Sequence, residues 1–319
     1  MWEKDFEEFM RGSILGLAKA AAGLIEQAFS VGALTPEWWV TVVGGQVTTT
    51  VAGGESTVID HPGMLNIIVV AMIPLLVIFV AVQVVLSAVR GSTAGMVRAF
   101  LAAVFSIPAT YVVVGLVWMA MGATQQLTLW ILRVGSGGTD GEDEAVAGVL
   151  GLFGLTYDAA NDKILLDENF AQWEMASENS ENGMIVVAVI IALVIFFACF
   201  VLMAMMIFRL VLILILASFA APAIFSLALE PAKALAGRWL SMMLGLIMAG
   251  PLAAAVVRLG MAMAALSTDW VQTVAGMVLV FVAAAMPIFM LAVTAWLGGG
   301  AGQAHGVEDL REGGVRLRV

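Results

Sequence analysis

From Met184 to Leu229 the chain runs 46 residues almost without polar interruption, and Arg209 is the only charge in the stretch. A helix needs about 20 apolar residues to cross roughly 30 Å of hydrocarbon. If Met184–Ala220 is helical it is about 55 Å long, well beyond a bilayer core. Four further apolar runs, Met64–Ala88, Ala99–Thr124, Trp239–Leu266 and Val271–Leu297, are each long enough to cross once. Hydrophobic residues make up 62% of the 319 and charged residues only 12%, about half the charged share of a soluble domain. Lipid therefore has to be the solvent for much of this surface.

Charge orders the runs. Arg90 and Arg98 bracket the connection between the first two, which places it on the cytoplasmic side, where Lys and Arg accumulate. The acidic stretch 134–183 then lies outside, and Arg209 marks the inner end of the third span at Phe208. With five spans, Lys233, Arg238, Arg311, Arg316 and Arg318 are all cytoplasmic; a sixth span at Leu210–Leu229 turns all five outward. The expectation is an all-α polytopic protein of the cytoplasmic (inner) membrane. It has five spans, the N-terminus outside, the C-terminus in the cytoplasm, and a re-entrant or packed helix after the third span. It divides into 1–63 (amphipathic helix and outer segment), 64–133 (first hairpin), 134–183 (acidic outer loop), 184–297 (bundle with a long third helix) and 298–319 (cytoplasmic tail). Trp239, Trp270 and Trp296 fall at predicted span ends, where the indole ring favours the headgroup layer. Arg258, 19 residues past Trp239, is expected to snorkel to the outer interface, the other reading being a water-facing or inter-subunit role.

The net charge of −10 is local: residues 1–63 hold eight acids against three bases, and 134–183 eleven acids against Lys163. Both segments repel phosphate, so neither binds nucleic acid directly. Residues 2–29 carry an apolar stripe of helical period, Phe6, Phe9, Met10, Ser13, Leu17, Ala21, Leu24 and Ala28, opposite Lys4, Glu8, Arg11, Lys19 and Glu26. Such a helix lies on the outer leaflet or packs on a neighbour, the lipid surface being the simpler reading. The acidic opening and Lys19 argue against a cleaved signal. Residues 40–59, rich in β-branched residues and paired glycines, form a short hairpin or a loop. Asp140, Glu142, Asp143 and Glu144 do not have EF-hand spacing and read as a solvated linker. The apolar patch Val146–Leu155 wants membrane or a partner.

No reaction centre is legible, and the chain is expected not to be an enzyme and to carry no cofactor or metal. His61 and His305 have no ligand-spaced neighbours, and Cys199 sits alone in an apolar run. Walker, HExxH and Gly-x-Ser-x-Gly motifs are missing. No acid occurs within the five runs, whereas ion-coupled transporters hold carboxylates near the midplane.

The stretch RLVLILILASFAAPAIFSLALEPAKALAGRWLSMMLGLIMAGPLAAAVVRLG, Arg209–Gly260, resembles the TrbL-type polytopic inner-membrane subunit of type IV secretion and conjugation systems. The matching features are a long apolar helix ending in Ala-Ala-Pro at 220–222, a short basic connector, the Arg238-Trp239 pair, and a span with a mid-helix proline. The resemblance covers about residues 60–300. It implies an oligomeric conduit and pilus-assembly scaffold that forms a ring, contacts pilin and other secretion-system subunits, and meets translocated DNA or protein transiently. Arg209, Pro222, Phe225, Arg238, Trp239 and Arg258 are the candidate assembly or conduit residues. Small residues such as Gly245, Ala249, Ala253, Gly260 and Ala264 permit close helix approach, between subunits or within one. Pro222 and Pro231 interrupt the segment after Arg209, and a broken backbone at membrane depth needs cover from protein or a water-filled cavity. Neighbouring copies are the expected cover. A stand-alone channel or transporter is the main alternative, a membrane anchor or immunity-type protein a third.

Overall fold

A computed structural model describes residues 2–30, 36–50, 56–133, 155–158, 163–166, 183–265 and 270–313. It is an all-α polytopic membrane protein with two short hairpins. In chain order the elements are α1 (Trp2–Ser30), α2 (Pro36–Val43), β1 (Gly45–Thr50), β2 (Ser56–His61), α3 (Met64–Val89), α4 (Thr93–Arg133), β3 (Leu155–Asp158) and β4 (Lys163–Leu166). These are followed by α5 (Gly183–Ser218), α6 (Ala220–Phe225), single 3-10 turns at Ser226–Ala228 and Glu230–Ala232, α7 (Ala234–Ala265) and α8 (Trp270–Gly313). Among the described residues five helical segments are long and apolar enough to cross a membrane: Met64–Val89, Thr93–Leu132, Ala192–Ser218, Glu230–Met263 and Val274–Trp296.

The five expected runs all recur, with different ends. The second run extends to 93–133 and the third continues unbroken through Arg209 to Ser218. Arg209 therefore does not mark the end of its span. Leu210–Leu229 is not a sixth crossing: its first half finishes α5, and the rest is α6 and a 3-10 turn. Residues 298–313 of the expected tail continue α8 as helix. Within 40–59 the structure has a hairpin, β1–β2, paired antiparallel from Gly45↔His61 to Thr50↔Ser56, while 40–43 close α2. Of the acidic loop, only the β3–β4 hairpin lies within the described residues; Asp140, Glu142, Asp143, Glu144 and most of the Val146–Leu155 patch lie outside them. Pro74, Pro108, Pro251 and Pro287 sit inside α3, α4, α7 and α8 without ending them. Each removes one backbone donor, a loss that membrane helices make up from their neighbours.

The chain divides into two compact units, and α4, α5, α7 and α8 contribute to both. The first unit comprises residues 1–33, 124–209 and 249–287. Its core takes Ala18, Ala21, Ala22, Ile25, Ala28 and Phe29 from α1, together with Ile195, Cys199 and Leu202 of α5, Ala253 and Val257 of α7, and Val280 and Ala284 of α8. The α1 positions recur at three and four residues, one helical face. That face is buried within the protein's own bundle, which overturns the expected lipid-surface role for this half of α1. The reason is side-chain size: four alanines make a narrow ridge that fits between helices and offers little to a leaflet. The Gln125 carboxamide donates to the Phe29 carbonyl at 2.6 Å, satisfying an acceptor in the last turn of α1.

The second unit comprises residues 34–123, 210–248 and 288–319. Here α2 packs on α3, and α3 on α6 and the first 3-10 turn. The chain enters α3 through Gly63, at φ 71°, where a Cβ would strike the Val43–Gly44 backbone within 2.5 Å. Only glycine fits there. Asn66 Nδ2 donates to the Pro62 carbonyl at 2.8 Å and the Tyr111 hydroxyl donates to Asn66 Oδ1 at 2.5 Å, so both ends of the polar side chain near the start of α3 have a partner. Three residues, 90–92, connect α3 to α4. Ser92 caps α4: its Oγ accepts from the Gly95 amide at 3.2 Å.

Candidate functional site

The segment between α5 and α7, residues 219–233, is an elbow. Phe219 has left helical geometry (φ −91°, ψ 23°) and α6 restarts at once, with Pro222 in its first turn. Leu229 is extended, at φ −109° and ψ 117°, between the two 3-10 turns. Along this stretch Ala220, Ala221, Ala223, Ile224, Phe225, Ser226 and Ala228 are buried, and Phe225 is entirely enclosed. Its own chain, α3 above all, covers the elbow. Much of the apolar surface that called for a neighbouring copy is therefore buried within one chain, while Val211, Ile215, Phe219 and Leu227 stay exposed.

Polar groups hold the elbow at both ends. The Trp239 indole N–H donates to the Leu216 carbonyl at 2.9 Å. Leu216 is in the last turn of α5, whose carbonyls have no further helical donors. Trp239 is therefore a buried cap on a helix end and not the expected headgroup anchor; Trp296, by contrast, is 78% exposed. At the other end, Gln83 of α3 is buried, and its Oε1 accepts from the Glu230 amide at 3.0 Å while its Nε2 donates to Ser87 Oγ at 3.4 Å. Arg90 Nη1 lies 3.4 Å from Glu230 Oε2.

Of the six candidates, Pro222, Phe225, Arg238 and Trp239 fall in this unit, with Arg238 exposed on α7. Arg209 and Arg258 belong to the first unit. Arg209 is buried, and its guanidinium lies across Gly250 of α7, where a Cβ would sit 2.6 Å from Nη1 and 2.8 Å from Cζ. It is packed against a helix and does not snorkel. Arg258 is half-buried on α7. Glu230 and Gly250 carried no signal in the sequence, and Arg90 was read only as a marker of sidedness. Gln83 stood out as a polar break in an apolar run, but nothing local named its partner.

The small-residue stripe has intramolecular partners. Gly245 faces Thr294 of α8, with a Cβ position 2.7 Å from its Cγ2, and Gly260 faces the Gly276 carbonyl at 3.1 Å. Ala249 and Ala253 are fully buried. This close packing serves α7 on α8 and no longer argues for association between copies.

Trp39 of α2 and Trp118 of α4 stack at 4.8 Å, tilted by 45°, beside an apolar crevice lined further by Val42, Val117, Ile213 and Ala217. Its volume is about 10 Å³, room for no more than one water. Among the described residues no three His, Cys, Asp or Glu side chains gather as metal ligands would. His61 is exposed and Cys199 buried in the first unit's core.

No family model, no curated protein and no solved structure matches the chain. The TrbL-type resemblance therefore stands on the quoted residues alone.

Proposed function

We propose that the protein is an oligomeric inner-membrane conduit and assembly scaffold of a type IV secretion or conjugative transfer machine, with its N-terminus outside and its C-terminus in the cytoplasm. The observation that carries this reading is the elbow. The stretch with the TrbL-type features is the stretch that takes an unusual form, a buried, non-crossing break between two membrane helices. An oligomer is favoured over a stand-alone channel because the TrbL-type resemblance implies a ring-forming scaffold. Apolar surface for such contacts exists: 22% of the most apolar stretch is buried in α3 and in α4, against 56% in the Glu230–Met263 span. The remaining faces meet lipid, further copies, or small apolar pilin-like subunits. The reading assigns no chemistry to the chain; it acts by packing and placing others.

Purification of the tagged full-length protein from its native membrane in mild detergent tests it. A ring in electron micrographs that carries small hydrophobic subunits, together with loss of transfer in a deletion strain, is expected. A monodisperse single copy without partners, from cells whose transfer is unaffected by the deletion, overturns it.

A further inference from the structure

We propose that the elbow end of the second unit carries a binding surface for anionic phospholipid headgroups, built from Arg90, Lys233 and Arg238. All three residues are exposed. The Arg90–Glu230 pair fixes the turn after α3 against the elbow. Lys233 follows three residues after Glu230, and Arg238 lies on the first turns of α7. Glu230 is the one acid among them, and its carboxylate is taken by Arg90 and its amide by Gln83. Among the described residues neither Lys233 nor Arg238 is in an ion pair. Three cations against one anion leave two positive charges facing outward.

The same surface is apolar between its charges. Leu227 and Leu235 are exposed in the same stretch, Leu235 one turn before Arg238 on one face of α7, while Ile224, Phe225, Ala228 and Trp239 are buried. Cations set among outward leucines suit the boundary between headgroups and acyl chains, where long basic side chains reach the phosphates and leucines enter the tails. A soluble phosphate has no use for the leucines, so the surface commits to a lipid. Zwitterionic headgroups carry no net charge to attract; near an anionic leaflet each Lys or Arg raises affinity about fivefold.

The full-length protein, purified in neutral detergent, is titrated with phosphatidylglycerol or phosphatidylcholine, and bound lipid is counted by native mass spectrometry. Phosphatidylglycerol is expected to bind several-fold more tightly. Lys233→Gln with Arg238→Gln lowers that affinity about fivefold per charge and leaves phosphatidylcholine unchanged. Both substitutions are at exposed positions, and the charge-conserving pair Lys233→Arg with Arg238→Lys retains the preference. Millimolar inorganic phosphate does not displace the lipid. Equal binding of the two lipids overturns the proposal, as does a preference that survives the Gln pair or is lost equally in Arg258→Gln. Displacement by inorganic phosphate would make this a soluble-anion site and overturn the lipid assignment.

Discussion

At Gly250 a single added carbon meets the whole face of the Arg209 guanidinium. Because Arg209 is buried, its end group has little room to retreat. Gly250→Ala is expected to destabilise the protein by about 1–3 kcal/mol, the usual range for overpacking. The clash is specific to this pair, so Arg209→Ala with Gly250→Ala should be less harmful than the sum of the two, a coupling that detergent thermal melts of the four proteins measure. Additive losses would mean that Gly250 is needed for something other than the arginine. Trp239→Phe removes the indole N–H from the Leu216 carbonyl and trims a buried bicyclic ring to a single one. A cost of about 1–3 kcal/mol is expected for a buried acceptor left without its donor. Hydrogen exchange should quicken at the Phe219, Leu229 and Ala232 amides, which close the elbow's turns; unchanged exchange there would remove Trp239 from that role. None of this was legible in the sequence. A tryptophan at a span end reads as an anchor until its donor is seen to face a carbonyl, and Arg209 reads as a border until Gly250 is found beneath it.

The helices themselves could be read from composition, because a long apolar run has few other outcomes in lipid. What sequence could not give was how far each helix continues. Arg209 suggested an end to the third span, yet α5 carries it and runs on to Ser218, since a buried arginine packed on glycine need not reach water. The alanine-rich half of α1 was misassigned for a related reason: periodicity finds an apolar face but not what covers it. For the elbow, prolines marked the break correctly, while its cover, α3, lies far back in sequence. The elbow's two faces predict opposite outcomes. Phe225→Ala leaves a cavity at a fully enclosed site and is expected to cost about 3–5 kcal/mol, whereas Leu227→Ala on the exposed face should change the melting temperature little. Similar losses for both would show that Leu227 is covered by a partner in the assembled state.

At the scale of the whole chain, helix length is the governing quantity. With 41 residues in α4 and 44 in α8, these helices reach about 60–65 Å, twice the bilayer core. The distribution of Lys and Arg sets the sidedness proposed above. Cysteines placed at Ser136 and Gly313, in a chain with Cys199→Ala, should label from opposite sides of intact cells with an impermeant reagent. Labelling of both from one side would exclude the three crossings between them and the proposed topology with it.

Gln83 is synthesised 147 residues before the Glu230 amide that completes it. Once α4 is complete it is joined to α3 by a three-residue turn, but one face of α3 still lacks its cover and the Gln83 carboxamide oxygen its donor. A chain that stops at Ser218 contains every residue of α3 and still lacks the elbow that covers it.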